Sequence, residues 1–242
     1  MTRVESPAER AFVDAPLPAA GAPWREVDFT VLDLETTGLD PRSDEIISFA
    51  TVSVSGGRIT LADARYELVR PERAPDADTI RIHGLREADL VDAAPLSDHL
   101  DELLTALTGR ALIAHVAAVE RGFLRPALSS KGLKLRNAWV DTAAMDRELR
   151  RLRHSPPAAS EPIGLSDLAR SLGLPVHRPH HADGDALTTA QAFIALGTHL
   201  EAFEDPLTLG SLQRLRYGTA RSGILSRLRR LPARAVRSLP RP

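Results

Sequence analysis

The sequence contains no cysteine, has only two tryptophans, two tyrosines and six phenylalanines in 242 residues, and shows no long hydrophobic run. Without cysteine there is no disulfide framework, no thiolate nucleophile and no cysteine-ligated zinc or iron-sulfur site. Any bound metal must be held by oxygen or imidazole. The first residues carry Glu5, Glu9 and Asp14 without an apolar stretch, so neither a signal peptide nor a transmembrane helix is expected, and the chain reads as cytoplasmic. What is present, 43% hydrophobic and 26% charged residues in 26.3 kDa, suits one α/β domain with tails.

The net charge of -1 conceals an asymmetry. Residues 206–242 hold nine arginines and no lysine or acid, so residues 1–205 carry about -10. A basic tail attracts polyanions such as nucleic acid, and it also serves simply to solubilise. Leu209, Leu212, Leu215, Ile224, Leu225, Leu228 and Leu231 interleave with arginine there, as in an amphipathic helix for a nucleic acid, a partner or an anionic surface.

Residues 1–24, rich in Pro and Ala, read as a flexible arm, residues 25–205 as the domain, and 206–242 as the Arg-rich tail. Val27 to Leu34, Glu45 to Val54 and Arg58 to Val69 read as strands, the last two joined by the turn Ser55-Gly56-Gly57. Pro71 and Pro75 mark a loop. Leu100, Leu103, Leu104 and Leu107 recur at helical spacing from Leu96, with Ser97 as the expected cap. A short strand from Ala111 to His115 and a helix through Val119, Phe123, Leu124 and Leu128 follow. Helices are expected over Thr142 to Leu152, Leu165 to Leu172 and Asp183 to Leu200, with a Pro-rich flexible loop at 154–162. The result is a three-stranded meander followed by strand-helix units, a mixed sheet flanked by helices.

Two segments carry chemistry. In LDLETTGLD, Asp33 and Glu35 lie two apart on a strand and project from one face. They are either solvated acids or oxygen ligands for Mg²⁺ or Mn²⁺. In HRPHHADGDALTTA, His180 precedes Asp185 by five positions, with Asp183 as the expected helix cap. A neutral imidazole can deprotonate water near pH 7, while a nearby carboxylate holds a metal. A polar surface loop is the alternative, and zinc lacks a regular histidine spacing.

Together these segments resemble the DEDDh family of 3'-5' exonucleases, the group that includes the proofreading epsilon subunit of bacterial DNA polymerase III. LDLETTGLD resembles the first motif, and His180 with Asp185 the third. IHGL at 82–85 and WVDTAAM at 139–145 resemble intervening segments, in the family's order. The second motif departs from the pattern H-N-x-x-F-D-x-x-F-L. HVAAVERGFL, residues 115–124, keeps His115, Phe123 and Leu124 but has Val116, Val119 and Glu120 at the Asn, Phe and Asp positions.

The resemblance implies a ribonuclease H-like fold and two divalent cations, Mg²⁺ or Mn²⁺. Asp33, Glu35, Asp185 and Glu120 would be the ligands and His180 the general base. Thr36, Thr37, Gly38, Leu39, His115 and Val116 would line the substrate's 3' end. The implied substrate is a single-stranded 3' end, DNA before RNA, and the implied partner a DNA polymerase or repair complex. Glu120 keeps open a DNA-end-binding module with weakened catalysis.

Overall fold

A computed structural model describes residues 6–154 and 162–215. The meander comprises β1 (Phe29–Thr36), β2 (Ile46–Ser55) and β3 (Arg58–Leu68), all antiparallel. Gly56 and Gly57 turn the β2–β3 hairpin with φ of 60° and 70°, the left-handed pair that a two-residue hairpin favours. β4 (Ala111–Ala114) pairs parallel to β1, and β5 (Trp139–Asp141) parallel to β4. The sheet order is therefore β3-β2-β1-β4-β5.

Nine α-helices occur among the described residues: α1 (Pro7–Asp14), α2 (Ala77–His83), α3 (Glu87–Leu90), α4 (Leu96–Leu107), α5 (Ala118–Ser130), α6 (Thr142–Leu152), α7 (Leu165–Ser171), α8 (Ala182–Leu200) and α9 (Leu209–Arg214). The alternation along β1 sorts them into two layers. Phe29 and Val31 face a core shared with Met145, Leu149, Leu168, Ala186, Phe193 and Leu209, which places α6 to α9 on that side. Leu32 and Leu34 face Phe12, Leu103, Leu104, Phe123 and Leu124, which places α1, α4 and α5 on the other. Phe29 meets Phe193 at 4.9 Å between ring centroids. Complete burial of one such side chain contributes about 2–3 kcal/mol.

The expected flexible arm is largely folded onto the domain. Ser6 and Glu9 form a capping box, Pro7 starts α1, and Phe12 is buried against α4. Trp24 is only 1% exposed; its backbone N–H donates to the Leu207 carbonyl at 2.9 Å and its indole to Glu201 Oε1 at 2.7 Å. The expected tail boundary shifts as well, because Pro23 bridges Thr208 and α9 buries Leu209 and Leu212. The tail leucines from Ile224 onward and most of the 154–162 loop lie outside the described residues.

Two expected caps are corrected. Pro95, not Ser97, stands at the N-cap of α4, because the helix already begins at Leu96. His181 stands at the N-cap of α8, and Asp183 pairs instead with Arg178. The stretch after Pro75 also holds more structure than a loop. Asp76 Oδ1 accepts the N–H groups of Asp78 and Thr79 to start α2, and Gly84, at φ 76°, ends it. Among the described residues no helix is long and apolar enough to cross a membrane.

Candidate active site

Asp33 and Glu35 continue the row begun by Phe29 and Val31, so they point to the α8 side of the sheet. Asp185 lies in the first turn of α8 and faces them. One carboxylate oxygen from each of the three lies within 4.8 Å of the others. Glu120, in the first turn of α5, is buried beside them, and its Oε2 has no hydrogen-bond partner among the described residues.

Among the described residues only the charge of His181 opposes this clustering, at Asp185, and the acidities remain raised. Burial, then the charges of Glu120, Glu35 and Asp185, pushes Asp33 well above the carboxylate range. Burial and then Asp185 raise Glu35 to about 8. Asp185 rises to about 6 through burial, moderated by the His180 N–H that it accepts. Burial also drives Glu120 well upward, against its own backbone N–H and with the charges of Asp141 and Glu35. Half-buried and buried oxygens that repel one another, one of them orphaned, fit a hard divalent cation.

His180 sits at the rim of this cluster. Its backbone N–H donates to Asp185 Oδ2 at 2.9 Å, and desolvation holds its imidazole below the ordinary histidine pKa, neutral near pH 7. The neighbouring histidines have partners of their own, although the charge of His181 also favours the Asp185 carboxylate. His177 Nε2 lies 3.2 Å from Gln191 Oε1, and His181 Nδ1 lies 3.5 Å from an Arg178 nitrogen.

At the end of β1 the chain is stitched to β2. Thr37 donates its N–H to the Glu45 carbonyl at 2.9 Å and accepts the Glu45 N–H on Oγ1 at 3.0 Å. The Thr36 hydroxyl donates to the Gly38 carbonyl. A Cβ at Gly38 would stand 2.4 Å from Asp44 Oδ2, so only glycine lets Asp44 reach the Asp40 N–H at 2.7 Å. Leu39 is half-exposed beside this turn. The structure thus places Thr36, Thr37, Gly38 and Leu39 next to the carboxylates, with both threonine hydroxyls already engaged.

The β4–α5 corner differs from the expectation at His115. Its Nδ1 lies 2.9 Å from Thr142 Oγ1 and its Nε2 2.8 Å from the Ile163 carbonyl, so the ring joins α6 to the segment before α7 and offers no free nitrogen to a substrate. Val116 has φ 62°, a left-handed conformation that β-branched residues rarely adopt. Asp141, which the sequence reading missed, supports both: its carboxylate accepts the N–H groups of Val116 at 3.1 Å, Ala117 at 3.2 Å and Ala143 at 2.9 Å. An aspartate immediately before a helix of good formers was the available signal.

A mixed sheet in this order, with carboxylates gathered from its central strand and from two flanking helices, is the architecture of nucleases of ribonuclease H-like fold. The chain belongs to the RNase T exonuclease family, whose model matches residues 30–193. It is 31% identical over 175 residues to the DNA polymerase III epsilon subunit of Treponema pallidum, covering 72% of this chain and 78% of that one. It is 34% identical over 170 residues to the PolC-type DNA polymerase III of Thermotoga maritima, covering 70% of this chain but 12% of the relative's length. The structure also resembles exonuclease X in complex with 5' overhanging duplex DNA, with a TM-score of 0.57, 22% identity, and 76% and 99% of the two chains covered. Escherichia coli exonuclease I bound to a dT13 oligonucleotide gives a TM-score of 0.65 at 16% identity, over 74% and 43%.

Proposed function

We propose that the protein is a 3'-5' exonuclease that releases nucleoside 5'-monophosphates from DNA 3' ends, with two divalent cations and His180 as general base. The observation that carries this reading is the convergence of Asp33, Glu35, Asp185 and Glu120 beside a neutral imidazole. Asp33, Glu35 and Asp185 would hold one Mg²⁺ or Mn²⁺, and Asp33 with Glu120 the other. Cations bound there supply Lewis acidity and neutralise the charge of the phosphodiester.

The remaining work falls to the chain's own groups. His180, whose ring makes no hydrogen bond among the described residues, accepts the proton of the attacking water. The water oxygen bonds to phosphorus, the P–O3' bond breaks, and the departing O3' takes a proton from solvent, so that the shortened strand leaves with its 3' hydroxyl. The turn from Thr36 to Leu39 lies along the terminal nucleotide, and Val116 borders it by packing. The names of the relatives support DNA over RNA and suggest a polymerase or repair complex as partner.

Digestion of 5'-labelled single-stranded DNA and RNA of matched sequence, with Mg²⁺, Mn²⁺ or chelator, tests this. A metal-dependent ladder from the 3' end is expected, favouring DNA and lost by at least a thousandfold in Asp33→Ala and His180→Ala. A ladder on RNA alone would move the substrate class. End binding without a ladder would establish the binding module that the Glu120 substitution leaves open.

A further inference from the structure

We infer that Arg178 is a positioning residue for His180, acting through an ion pair with Asp183 that latches the segment before α8 onto that helix's first turn. The inference rests on the reading of His180 as the base. Arg178 and His180 both adopt left-handed backbone, with φ of 30° and 60°, which neither residue type favours. A loop with two such residues relaxes unless its surroundings hold it.

Several contacts hold it. The His177 N–H donates to Thr188 Oγ1 at 3.1 Å, the His181 N–H to the Arg178 carbonyl at 3.1 Å, and the His180 N–H to Asp185 Oδ2. The segment lies so close to α8 that a Cβ on Gly184 would stand 2.3 Å from the His177 carbonyl oxygen and 2.7 Å from that of Arg178. The charged tie is Arg178 Nη1 to Asp183 Oδ2, at 2.6 Å. It falls at one of the two strained residues and two positions before His180. Among the described residues the second oxygen of Asp183 is buried without a partner, so Arg178 is the group there that fixes how this carboxylate sits. The same guanidinium reaches His181 Nδ1 at 3.5 Å, which keeps that imidazole beside the arginine.

The Arg178 side chain is 60% exposed and that of Asp183 34%, and pairs of that kind add little to global stability. The expected signature is therefore a local and kinetic one. Full-length Arg178→Gln, Arg178→Lys and Arg178→Gln/Asp183→Asn are compared with the parent on 5'-labelled single-stranded DNA. Deuterium exchange of peptides spanning 176–183 is measured without substrate. We expect kcat of Arg178→Gln to fall at least tenfold with KM within twofold, and Arg178→Lys to recover most of the loss. The double variant should be no slower than the single, and exchange in the segment should quicken several-fold while the melting temperature stays within about 2 °C. Unchanged kcat and exchange would overturn the latch. A raised KM at constant kcat would overturn it too, by making Arg178 a substrate contact. If the parent does not hydrolyse DNA, the proposed function fails, and the exchange measurement still decides the latch.

Discussion

At the end of β1, Asp33 and Glu35 take their direction from strand alternation, and the turn behind them is closed by reciprocal hydrogen bonds between Thr37 and Glu45 and between Asp40 and Asp44. At the β4–α5 corner, Glu120 ends with an orphaned oxygen, Val116 is held left-handed, and one carboxylate, Asp141, supports both neighbouring helices. Both corners deliver acid to one point. Both store cost in charge, the second adds a cost in backbone conformation, and the two kinds of cost respond to different perturbations.

The largest expected effect concerns charge. Carboxyls whose folded pKa is raised favour folding fully below their unfolded values, and that contribution is lost as pH climbs toward the folded values. For Glu35 the window runs from 4.5 to about 8, and for Asp185 from 3.8 to about 6. In chelator the protein should therefore lose stability between pH 5 and pH 8, by an amount on the order of several kcal/mol. Mn²⁺ or Mg²⁺ should restore it at pH 8 and do little at pH 5. Thermal melts at both pH values check this, and a melting temperature that holds or rises toward pH 8 in chelator contradicts it. Asp33→Asn should flatten the same profile.

Next comes Glu120. Glu120→Gln should slow hydrolysis by about a hundredfold, equivalent to about 2.7 kcal/mol, whereas Glu120→Asp should stay within about tenfold of the parent. Single-turnover rates on labelled DNA separate these outcomes. Equal rates for parent and Glu120→Gln would remove Glu120 from the site. The smallest effect concerns the backbone. Asparagine tolerates the left-handed region, so Val116→Asn should stabilise the fold by about 1 kcal/mol, or about 3 °C, in chelator at any pH. A lower melting temperature would mean that the valine's packing outweighs its strain.

Legibility followed periodicity. The spacing of Leu100, Leu103, Leu104 and Leu107 defined α4, and Thr142 to Leu152 matched α6, since each carries an apolar stripe over three turns. The three strands of the meander were readable to within two residues at each end. The short α1, α2 and α3 were not, because unlike the equally short α7 they lie among the prolines of residues 7–23 and 71–95, which read as arm and loop. Their signals were caps: Ser6 with Glu9, and Asp76. At the site, alternation alone placed Asp33 beside Glu35, and the third segment supplied Asp185 in a helical first turn. That His115 would turn toward Thr142 and Ile163, and that Asp141 would brace the second corner, depends on contacts between residues far apart in sequence. Local pattern does not encode such contacts.

The bridge between Pro23 and Thr208 fastens an early strap of the chain to a late one, and the Gly210 N–H adds a bond to the Ala20 carbonyl. Trp24 packs on Gly197, twelve residues beyond Asp185 and so about 18 Å down the α8 axis from the carboxylates. Tension drawn through flanking polypeptide would be borne by this clasp before it reached the sheet. Separating the two straps therefore breaks these bonds at the far end of α8 from the carboxylates.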